Sequence, residues 1–133
     1  MVTRLVIAAF LLAHAGIHAA FVSQRPPATA GGPAWPFELR SWLLTPLGVG
    51  PEANRLIGLA LVGATIGGFG LAAVGALALA PAVGWTAGVS LGAIASLALL
   101  VLFFQPWLVL GVVIDLGLLW AALVADWGPQ GLG

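Results

Sequence analysis

The chain has 133 residues, of which 62% are hydrophobic and 6% charged, and its mean hydropathy is +1.16. Soluble domains carry roughly a quarter charged residues, and a domain this small leaves too much of its chain at the surface to hide so apolar a composition from water. Four arginines balance four acids, with no lysine and no cysteine. That excludes a basic nucleic-acid face, and with it disulfides, thiol redox chemistry, cysteine-held iron–sulfur clusters and covalent c-type haem.

The composition therefore predicts an all-α, polytopic membrane protein, with four transmembrane helices in one bundle. Apolar runs near or above the ~20 residues needed to cross a bilayer fall at about 2–22, 54–80, 83–104 and 107–126. Backbone groups in lipid must be bonded internally, so these spans are expected to be helices. Arg4 before an apolar run, with Ala28-Thr29-Ala30 further on, resembles a signal peptide. The run from Leu5 to Val22 is longer than the apolar core of such peptides, so the first span is expected to be retained.

The loop at 23–53 is the one long connection. It opens on Gln24-Arg25-Pro26-Pro27 and passes through Gly31-Gly32-Pro33, which are poor helix formers. A short amphipathic interfacial helix is expected at 36–44, with Pro36 and Glu38 in its first turn. Glu38, Ser41 and Thr45 would form its polar stripe, lying at the membrane surface or packed as a lid on the helix ends.

In the third span Gly84, Gly88, Gly92 and Ser96 recur every four residues. Such a ladder lets helix backbones approach closely in lipid, within the bundle or against a second copy or larger membrane complex; the first is favoured. Trp35, Trp42, Trp85, Trp107 and Trp127 mark span boundaries as an aromatic belt. Arg25, Arg40 and Arg55 lie in or beside the first loop, against Arg4 on the side of the termini. The excess predicts that loop on the cytoplasmic face of the inner (plasma) membrane, with both termini outside.

The candidate site starts from Leu11-Leu12-Ala13-His14-Ala15-Gly16-Ile17-His18, which holds both histidines of the chain. Four residues apart on a helix, they share one face, and ionisable groups within a span are functional candidates by default. Asp115 is the one acid deep inside a span, and at 1.5 Å rise per residue its depth matches that of His14 within about one turn. An aspartate at a span centre costs about 2.5–3.5 kcal/mol on insertion scales. Asp115 is thus expected to contact His14 and so to bring the first and last helices together. Arg25, seven residues after His18, and Asp126, eleven after Asp115, would extend two polar stripes.

Three roles fit this trio. One is a polar clamp, with interhelical hydrogen bonds of about 0.6–2 kcal/mol. Another is a ligand site: His14, His18 and Asp115 around a metal ion, or one histidine as axial ligand to haem or a similar macrocycle. The third is a relay in a proton- or ion-coupled carrier.

His14-Ala15-Gly16-Ile17-His18 and Ile114-Asp115-Leu116 resemble motifs of small, uncharacterised four-helix bacterial integral membrane proteins. Those have H-[GA]-x-I-H in the first helix and Ile-Asp-Leu in the last, and the DoxX-like group is a looser architectural analogue. The resemblance implies the four-helix fold and supplies no activity. Small multidrug exporters place an acid in the first helix, which is missing here. A soluble-substrate enzyme would need more polar groups than the chain offers. The expected function is a non-catalytic membrane accessory or binding protein with His14, His18 and Asp115 as its internal site. The carrier is the alternative, and a metal-dependent membrane enzyme a third class.

Overall fold

The computed structural model of the chain describes residues 1–23 and 35–128. Its elements are α1 (Val2–His18), continued by a 3-10 turn at Ala19–Val22, then α2 (Pro51–Ala76), α3 (Ala82–Leu102) and α4 (Val109–Leu119). A 3-10 turn at Pro106–Leu108 leads into α4, and a wide π turn at Trp120–Val124 ends it. With these turns included, four helices among the described residues are long and apolar enough to cross a membrane. Neighbours in sequence pack on each other, α1 on α2, α2 on α3 and α3 on α4. The first and last helices make few close backbone approaches, which leaves a seam between α1 and α4.

The α2–α3 pair is the tightest part of the bundle, and its glycines explain why. A Cβ on Gly75 would lie 2.7 Å from the backbone nitrogen of Trp85, and one on Gly92 2.9 Å from that of Phe69. Carbons added at Gly68 or Gly88 would run into the facing backbone at Gly92 and Ala72 respectively. The ladder of Gly84, Gly88, Gly92 and Ser96 thus lies buried inside the chain's own bundle, where small residues allow dispersion contacts between backbones.

Helix α2 begins at Pro51, three residues before the expected start, because proline fits a first turn whose N–H groups have no helical partner. It ends at Ala76 rather than 80. Ala78 adopts φ +59°, while Ala78 N–H donates to Gly75 O and Leu79 N–H to Val74 O. This is the pattern of a Schellman cap, with alanine where glycine is usual.

The interfacial helix expected at 36–44 is not formed. Residues 35–41 are irregular and residues 42–48 make turns. Ser41 caps the turn that follows: its Oγ accepts from Leu44 N–H at 3.0 Å and Leu43 N–H at 3.3 Å. The same hydroxyl donates to Leu102 O at 2.6 Å, and Trp42 Nε1–H donates to Val101 O at 2.7 Å. The last carbonyls of a helix lack partners of their own, so this turn caps α3 from outside. Gly48, at φ +84°, then ends it with a second Schellman-like pair, Gly48 N–H to Thr45 O and Val49 N–H to Leu44 O. Capping by Ser41 competes with helix formation through its position, and wins because it serves two elements. We expect Ser41→Ala to lower stability by about 1–2 kcal/mol, measured by reversible unfolding in mixed micelles, and to raise proteolysis within 35–48.

Trp85 also departs from expectation. It is 1% exposed, and its Nε1–H donates to Trp127 O at 2.9 Å, with the two rings edge-on at 5.6 Å. It is a core residue rather than part of a boundary belt. Trp107, at 75% exposure, fits that role.

Two apolar clusters make up the core. Near the termini, Leu11, Phe69, Trp85 and Val89 pack with a set of alanines; near the loop, Phe21, Val62, Leu99, Leu100, Phe103 and Leu108 do so. A polar layer lies between them.

Candidate functional site

The polar layer is assembled by three helices. α1 supplies His14 and His18, which face inward because helical spacing puts them on the buried stripe with Leu11 and Ala15. α3 supplies Ser96 and α4 supplies Asp115; both are fully buried. His14 Nε2 lies 2.9 Å from Asp115 Oδ1. Ser96 Oγ is 2.5 Å from Asp115 Oδ2 and 2.7 Å from His18 Nε2. His18 Nδ1–H donates to His14 O, one turn back, at 3.0 Å. The bonds form a closed ring, His14–Asp115–Ser96–His18 and back to His14.

Aromatics flank the ring at His14, whose imidazole lies edge-on to Phe69 at 5.1 Å and stacked with Phe10 at 6.2 Å; the two imidazoles are edge-on at 5.0 Å. The register in which Gly92 meets Phe69 and Trp85 meets Gly75 puts Thr65 at the same level on α2, and its buried Oγ1 has no partner among the described residues. α2 and α3 bring no ionisable group to the ring, since Glu52 and Arg55 sit in the first turns of α2 and α3 has none.

His14, His18 and Asp115 each offer a ligand atom, and the three atoms lie within 4.8 Å of one another. These residues could therefore hold a metal ion, with the Nδ1–H of His18 anchored to a carbonyl as ligating histidines usually are. Two features weigh against a divalent ion. It would displace the Ser96 bridge, and with one carboxylate and two neutral imidazoles it would leave a net positive charge in a buried layer between two apolar clusters.

Beside the ring, a cavity of about 140 Å³ opens at the α1–α4 seam. His14, His18 and the indole of Trp107 bring polar atoms to its lining; the rest, including Ile17, Phe21, Leu110 and Ile114, is apolar. His14 Nδ1 takes part in no hydrogen bond among the described residues, so with Nε2–H given to Asp115 it is an uncommitted acceptor on a residue that lines the cavity.

Other expected members fall elsewhere. Asp126 is exposed, beyond the π turn, at φ +47°. The i→i+5 bond from Ala125 N–H to Trp120 O rotates the chain away from the face that Asp115 occupies, so no polar stripe continues to it. Arg25 lies outside the described residues. Ser96 is the residue that sequence reasoning did not place in the site, taking it as the last rung of a packing ladder. The available signal was its hydroxyl, the one polar group in that ladder.

Comparison with family models, with curated protein sequences and with solved structures gave no match.

Proposed function

We propose that the chain is a small membrane-embedded binding protein whose ligand enters from the bilayer, through the α1–α4 seam, and meets the histidine edge of the buried site. The observation that carries this is the cavity: largely apolar-walled, beside the exposed Ile17 and Leu110 of the α1–α4 seam, with His14 and His18 as its buried polar features. An apolar cavity of roughly 150 Å³ takes a benzene-sized molecule, so about 140 Å³ suits one ring-sized group. The remainder of such a ligand would stay in lipid. With His14 Nδ1 as the acceptor on offer, the matching polar group is a donor such as a hydroxyl. The arginine excess in and beside the first loop supports a plasma-membrane location with that loop cytoplasmic. The motif resemblance supports a place among small four-helix bacterial membrane proteins.

The carrier alternative has less support. The hydrogen bonds close on themselves, and apolar clusters lie on both sides of the ring, whereas conduction needs polar continuity toward both surfaces.

The test is binding of a 4-alkylphenol to protein in lipid nanodiscs. Saturable binding is expected, weakened about tenfold (about 1.4 kcal/mol) by Ile17→Trp, which fills the mouth from an exposed position. Unsaturable partitioning, identical in the variant, would refute the reading. Stoichiometric metal in the purified protein, lost in His14→Ala, would replace it with a metal site.

A further inference from the structure

We propose that the ring His14–Asp115–Ser96–His18 is a binding site for one proton, shared between Asp115 and His18 through the Ser96 hydroxyl. The proposal rests on counting hydrogens and does not depend on any ligand in the cavity. Each hydrogen bond contains one hydrogen, and the ring has four bonds. The bond from His18 to His14 O uses the hydrogen on His18 Nδ1, because a carbonyl has none to give. Three contacts remain, and each needs a hydrogen of its own. A neutral His14 supplies one from Nε2 to Asp115 Oδ1, and Ser96 supplies one.

With Asp115 ionised and both histidines neutral, the third contact has no hydrogen. Ser96 can donate to Asp115 Oδ2 or to His18 Nε2, and the other contact then sets two acceptors against each other, at 2.5 or 2.7 Å. One added proton resolves this in two ways. Held on Asp115 Oδ2, it is donated to Ser96 Oγ, and Ser96 donates to His18 Nε2. Held on His18 Nε2, it is donated to Ser96 Oγ, and Ser96 donates to Asp115 Oδ2. The two forms interconvert when the Oδ2–H and Oγ–H bonds break as Oγ–H and Nε2–H bonds form, so one proton moves from acid to imidazole with atoms and charge conserved. A proton on His14 Nδ1 leaves the third contact unmade, so the count selects Asp115 and His18.

Charge gives the same answer independently. The added proton makes the ring neutral overall, whereas without it a bare carboxylate charge would sit fully buried in a layer between two apolar clusters. A second proton would restore a net charge and add a donor with no acceptor in the ring. His14, His18 and Asp115 are the ionisable groups of this layer, since α2 and α3 contribute none to it.

The experiment uses the full chain in nanodiscs near neutral pH. Because the chain has two histidines, ¹⁵N spectra of labelled protein report each ring directly, and infrared difference spectra against Asp115→Asn report the carboxyl group. The expected result is one of two matched patterns, or their exchange average. Either a protonated-acid C=O band is lost in Asp115→Asn while His18 carries hydrogen on Nδ1 alone, or Asp115 is a carboxylate while His18 is doubly protonated. A carboxylate Asp115 with both histidines neutral would overturn the proposal. So would a doubly protonated His14 beside a neutral His18.

Discussion

Gly88→Leu is expected to give protein that no longer forms the α2–α3 pair, with a loss of about 3 kcal/mol or more in stability. Overpacking a core usually costs about 1–3 kcal/mol because side chains can shift. Here the obstacle is backbone: any Cβ on Gly88 meets the main chain of Ala72 and Gly68, and the two helices must separate to admit it. In lipid little compensates, since close dispersion contact is itself what holds such helices together. Reversible unfolding in mixed micelles should show the loss. Gly63→Leu is the control: a Cβ there meets nothing within 4 Å, and little change is expected. Equal effects at the two positions would mean that close approach is not what stabilises the pair.

The second large effect is expected at Asp115. In Asp115→Ala the Ser96 hydroxyl still has His18 Nε2 to donate to, but His14 Nε2–H loses its acceptor. One buried polar group left unsatisfied costs about 1–3 kcal/mol. That exceeds the ~0.6 kcal/mol average for interhelical hydrogen bonds in a membrane, because Asp115 bonds two other helices at once. Asp115→Asn should behave differently. Its amide oxygen can accept from His14 Nε2–H and its amide N–H can donate to Ser96 Oγ, so the ring closes with no ionisable carboxyl. The second amide hydrogen of asparagine has no acceptor in the ring, so a loss is expected, but a smaller one than in Asp115→Ala, which cuts the link from α4 to both other helices. If asparagine proves as damaging as alanine, the ring is not held by its hydrogen bonds.

How far these features can be read without coordinates depends on their scale. Four helices follow from runs of apolar residues, because the bilayer imposes a length and forbids unbonded backbone. The meeting of His14 and Asp115 follows from depth, since rise per residue is fixed within a helix. Rotation about the helix axis is harder to read. Ser96 sits at the depth of the site, but its small size suits it equally to close packing, and its position on α3 alone does not choose between the two. Counting 3.6 residues per turn puts Asp126 on the Asp115 face, and one π turn invalidates that count. Trp85 and the segment 36–44 failed for a related reason. Both are decided by tertiary hydrogen bonds, to Trp127 O and to the end of α3, which local pattern does not contain.

The ring joins the first helix to the last, and this sets an order of assembly. The α2–α3 pair needs nothing beyond its own glycines and can form as soon as both helices are in the membrane. Of the four spans, α1 carries His14 and His18, and Asp115 arrives only with α4. During synthesis His18 can meet Ser96 once α3 is in place, whereas the His14 imidazole must wait for Asp115 until α4 enters the membrane. Chains that stop before Val109 would expose this unfinished polar edge along the open side of α1. The closed ring is then a mark that α4 has joined α1 and α3, and its absence distinguishes a bundle still lacking α4.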